Sequence, residues 1–170
     1  MEPDMLNFDR AKFDDVWQRV EANNRPMPEP FAAGIPVSDG VDEAERLYWL
    51  MDSAALCIAL CRCVAAKCPG CVARTLCRMA DEERRYMRRL RAMYFILTGG
   101  AYCPEEPCPQ VPAASEGLRS LYAECVNARD RLLAAAEMPG AEFASTYAQC
   151  AAMKDRHAEV CAELIECMMR

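Results

Sequence analysis

The chain has no long hydrophobic run, no excess of basic charge and no strand-like alternation, and each absence removes a class of protein. Its most apolar stretch, Ser53 to Cys61, is closed by Asp52 and Arg62 and is too short to span a bilayer, so no membrane association is expected. The opening residues, MEPDMLNFDRAKFDD, are acidic and lack an apolar h-region, which predicts no signal peptide and a cytoplasmic location. A net charge of −6 argues against nucleic acid as a partner. No segment repeats with a solenoid period. What is present is a 170-residue chain, 53% hydrophobic and 27% charged, enough for one globular domain with a real core.

Twelve cysteines stand out. With no export signal and most of them inside helical patterns, they are expected to stay reduced and to serve as small core residues beside Ala and Met. The hydrophobic period is helical throughout. Phe13, Val16, Trp17 and Val20 mark a short amphipathic helix near 8–22, followed by the Pro- and Gly-rich linker NNRPMPEPFAAGIPVSDG, so residues 1–40 form an N-terminal extension. Residues 41–170 then carry four long helical segments, near 41–67, 71–97, 115–137 and 141–169. Their expected inward faces include Leu47, Leu50, Cys57 and Cys61; Met79, Glu83, Tyr86 and Leu90; Leu118, Leu121, Cys125 and Leu132; and Tyr147, Lys154, His157, Cys161 and Met168. Pro69-Gly70 and Pro139-Gly140 make tight turns, giving two antiparallel hairpins. The connection between them, TGGAYCPEEPCPQVPAA, reaches roughly 56 Å when extended. The second helix is about 40 Å long, so the connection can travel back along the whole bundle. The expected fold is an all-α four-helix bundle of two hairpins joined by one long crossover, with an N-terminal helical extension.

MADEERRY, followed by LRAMYFILTGGAYCP, resembles the rubrerythrin-related ferritin-like proteins, in which a helix carries A-x-x-E-x-x-H and ends near a Y-F-x-L-T-G run. AAMKDRHAEV resembles the second such pattern on the last helix, and LCIALCR and LLAAAE resemble the small-residue stretches of the first and third helices. The similarity covers residues 41–169. It implies a ferritin-like bundle in which a Glu from the first and third helices, and Glu-x-x-His from the second and fourth, hold two metal ions. Carried over position by position, Glu83 keeps its carboxylate, but Tyr86 fills the His place; His157 is kept, but Lys154 fills the Glu place; Leu50 and Cys125 stand where the other two acids would be. The paired Cys motifs of a rubredoxin-type iron module are absent.

Two readings of this core follow. In the first, the di-iron site is lost and Glu83 pairs with Lys154, so no cofactor is held and the protein is non-catalytic, a binding or structural protein that forms a homodimer through a helix face. In the second, Glu83, Cys125 and His157 bind one zinc or iron ion with Cys57 or Cys61 as fourth ligand, and the protein is a rubrerythrin-like oxidoreductase. Lys154 opposes that reading, because an ammonium repels a cation. Taken by itself, a lone His157 on an apolar face is a hydrogen-bonded core residue. Cys68-x-x-Cys71 has the spacing of a redox dithiol, but it falls on a Pro-Gly turn without the preceding strand of a thioredoxin site. Seven arginines between Arg74 and Arg91, interleaved with Asp81 and Glu82, are expected to form a solvated face of helical ion pairs.

Overall fold

The computed structural model describes residues 43–139 and 141–169. The N-terminal helix expected near 8–22, its linker and the 1–40 extension lie outside the described residues. Four helices are present: α1 (Glu43–Ala65), α2 (Gly70–Thr98), α3 (Ala114–Ala136) and α4 (Ala144–Met169), with no strand among the described residues. The described residues therefore form an all-α four-helix bundle, with helix ends within a few residues of those expected from the sequence.

α1 packs along α2, and α3 along α4, as the two short turns require. The hairpins meet mainly through the close backbones of α1 and α3, whereas the α2 and α4 backbones stand further apart. The crossover starts where Gly99, at φ 68°, ends α2 by donating its N–H to the Phe95 carbonyl. That left-handed backbone is why a glycine follows Thr98. Tyr102 then packs edge-on against Tyr48 and donates to Asp52, both on the first half of α1. Further on, Val111 reaches the far end of α1, where Gly117 of α3 sits against Val64 and Val111 so closely that a Cβ would collide with both side chains. The crossover thus runs back along α1, and α3 starts beside the end of α1.

Each helix buries one face, as its period dictates: α2 turns in Leu76, Met79, Ala80, Glu83, Tyr86, Met87, Leu90, Met93 and Tyr94. The core divides into two apolar clusters. One holds Leu47, Leu50, Ala54, Tyr86, Leu90, Leu132, Tyr147 and Ala151; the other holds Cys57, Cys61, Val64, Leu76, Ala80, Leu118, Cys125, Ala158 and Cys161. Between them lies a buried polar layer of Glu83, Lys154 and His157. Two expectations need correction. Met168 is 46% exposed, because the last turn of α4 runs past the core after Cys161. And α1 is long and apolar enough, by length and composition, to cross a membrane, so its apolar run is longer than Ser53 to Cys61; half of that stretch is buried against the other helices, as in a core helix.

Candidate functional site

The polar layer is assembled by helical spacing. Glu83 lies one turn from Ala80 and Tyr86 on α2, and Lys154 and His157 lie one turn apart on α4, so the three side chains project inward at the same level. The Lys154 ammonium, fully buried, donates to both oxygens of Glu83 at 2.8 Å. Its third proton faces the Cys57 sulfur at 3.6 Å, and the Tyr86 ring lies 5.0 Å away. All three N–H donors of the ammonium are thus matched, with the ring face adding a cation–π contact.

His157 completes the network. Its Nδ1 is 2.9 Å from Glu83 Oε1, and its Nε2 is 2.9 Å from Glu82 Oε2. Ionised carboxylates only accept, so the ring donates from whichever nitrogen bears hydrogen, and the imidazolium form satisfies both contacts at once. Burial works against the ionised form of Glu83, but the Lys154 ammonium and the His157 hydrogen bond outweigh it and hold the carboxyl below its ordinary range. Burial likewise disfavours the Lys154 ammonium, yet the negative charge of Glu83 against it outweighs that and holds it protonated above the ordinary lysine value.

The thiols beside this pair are protonated. A hydrogen bond with Cys125, together with burial, pushes the Cys57 thiol well up, and a hydrogen bond with Cys161 and burial push Cys125 up. The ligand atoms of Cys57, Glu83 and Cys125 lie within 4.8 Å of one another, which gathers three donors of the kind zinc takes. His157 is not among them, since both its nitrogens face carboxylates, and Cys61 is buried nearby without joining the group. The six positions that the ferritin-like resemblance assigns to a di-iron centre do not fit one. Leu50 is apolar and wholly buried, Tyr86 replaces an imidazole, and the Lys154 ammonium lies against the carboxylate that a cation would need.

Glu82 is the residue that sequence reasoning missed. It was expected on the outer face, interleaved with arginines, but it turns toward His157 because α2 and α4 are splayed. Its neighbouring arginines form no ladder of ion pairs: between Arg74 and Arg91, among the described residues, Arg84 with Asp81 is the ion pair present. Cys68 and Cys71 are both free thiols at the α1–α2 turn, and burial pushes Cys68 up, away from the thiolate form an exchange reaction uses. One buried side-chain polar atom among the described residues has no partner, the hydroxyl of Tyr86. No family model, curated protein or solved structure matches the chain.

Proposed function

We propose that this chain is a degenerate, non-catalytic ferritin-like bundle in which an internal ion pair occupies the place that rubrerythrin-related proteins give to iron. The observation that carries this reading is the Lys154 ammonium held at 2.8 Å from both oxygens of Glu83 in a fully buried layer. A protonated amine there supplies the positive charge that the core carboxylate needs, while closing the space to a metal ion. No group in the layer is poised for chemistry: the amine is protonated, the thiols are protonated, and the histidine is held at both nitrogens. The protein then works as a structural or binding module. Pairing with a second copy through a helix face is supported by Tyr122 and Leu133, exposed on one side of α3 about three turns apart. Twelve free thiols suit a reducing compartment such as the cytoplasm.

The test is metal analysis of protein purified without chelators or added metal, together with light scattering for its mass in solution. The expected results are well under one equivalent of zinc or iron and a dimer. The grouping of Cys57, Glu83 and Cys125 favours a second reading, a single thiophilic ion at those three residues. One full equivalent of zinc or iron, lost in the Cys57→Ala and Cys125→Ala variants, would establish that reading and overturn the first.

A further inference from the structure

Three arginines converge on the groove where α2 and α4 separate. Arg85 and Arg89 lie one turn apart on α2 and Arg156 faces them from α4, around a space of about 410 Å³ that is also lined by Gln149 and Tyr86. On a chain of net charge −6 this is a local reversal of sign. Helical spacing explains why the charges are left over. Asp81 pairs with Arg84, and Glu82 turns to His157, so both acids within reach of Arg85 are already engaged. Arg89 has Arg85, Tyr86, Ala92 and Met93 at its i±3 and i±4 positions, with no acid among them. Arg156 gives one bond to the Ala152 carbonyl. Among the described residues, no carboxylate pairs with any of the three.

Three guanidinium forks and the Gln149 amide make a wall rich in donors, while Glu82, already bound to His157, supplies the carboxylate at its edge. Like charges facing one another across a loosely packed helix pair repel, and an anion seated between them removes that repulsion.

We propose that the α2–α4 groove is a binding site for a phosphate monoester, gripped by Arg85, Arg89 and Arg156. Planar guanidinium forks match phosphate oxygens two at a time, and a dianion offsets most of the groove's charge. Titration calorimetry with phenyl phosphate and with inorganic phosphate, on the full chain at low salt, tests it. The expected result is saturable one-to-one binding of phenyl phosphate that weakens as salt is raised. Arg85→Gln and Arg89→Gln each weaken it about tenfold, the size of one charge-assisted contact. Arg119→Gln on α3 leaves it unchanged. Circular dichroism verifies that every variant is folded. Absence of saturable binding to both phosphates overturns the proposal, as does binding that Arg85→Gln and Arg89→Gln leave intact. Binding of a polyglutamate peptide or of phosphatidic acid vesicles without binding of soluble phosphate also overturns it, and assigns the groove to a macromolecular partner instead.

Discussion

Replacing Lys154 by methionine removes the ammonium and leaves a side chain of similar length in a site with no exposure. Glu83, 1% exposed, then keeps its charge with only His157 beside it. At the observed 2.8 Å the lost attraction is about 6 kcal/mol for an effective dielectric constant of about 20. Much of that offsets desolvation, and the measured cost of removing one partner of a buried pair is about 3–5 kcal/mol. The His157 contact places Lys154→Met near the lower end. Glu83→Gln leaves the ammonium against an amide and two thiols and costs a similar amount. Removing both, in Glu83→Met with Lys154→Met, returns the stability to within about 1.5 kcal/mol of the parent, because no charge is left buried. Urea unfolding at neutral pH, followed by circular dichroism, measures all three.

The pH dependence carries the same sign. Glu83 is held below the ordinary carboxyl range, so its contribution is complete above that range and is lost as pH falls through its lowered folded value. Lys154 is held above the ordinary 10.5, so its contribution is complete below that value and persists until pH rises through its raised folded value. Stability therefore falls on the acid side, and this acid slope flattens in Lys154→Met. Single variants that each cost under about 1 kcal/mol, the range of an exposed pair, would refute the argument that this pair governs the core.

Three further outcomes are expected. Gly117→Ala destabilises the fold by about 1–2 kcal/mol, since the collision with Val64 and Val111 outweighs the helix propensity gained; a urea midpoint above the parent's counts against that packing. Brief treatment of native protein with iodoacetamide, read by peptide mass spectrometry, labels Cys71, Cys77, Cys103, Cys108 and Cys167 and spares Cys57, Cys61, Cys125, Cys150 and Cys161; labelling of Cys57 or Cys125 at the rate of Cys108 would contradict the burial. Tyr86→Phe raises stability by about 1 kcal/mol by deleting an orphaned hydroxyl, and a fall in melting temperature would mean that the hydroxyl has a partner.

The bundle was legible because apolar residues spaced three and four apart leave each helix one way to face. Glu83 and Lys154 were legible for a related reason: a charge at an inward position on each of two facing helices has little choice of partner. Glu82 was not legible. It sits one residue from Glu83, off the centre of the buried face, and it reaches His157 through a separation of α2 from α4 that no single helix encodes. Cys57, Cys125 and Cys161, whose buried thiols act on one another, come from three helices, and sequence spacing speaks only within one. Of the expected arginine ion pairs, Arg84 with Asp81 forms, whereas Glu82 is drawn to His157 by a tertiary contact.

The single strap joining the hairpins has a consequence for how the molecule is put together. Glu105 and Glu106 are exposed at its middle, and a cut there divides the chain into two halves, one holding Glu83 and the other Lys154. Neither half can bury its own charge without the other, so each is an incomplete core that recognises its mate by opposite sign as well as by shape. Two such pieces, made separately, would be driven to reassemble, and a half meeting a second copy of itself would gain no such match.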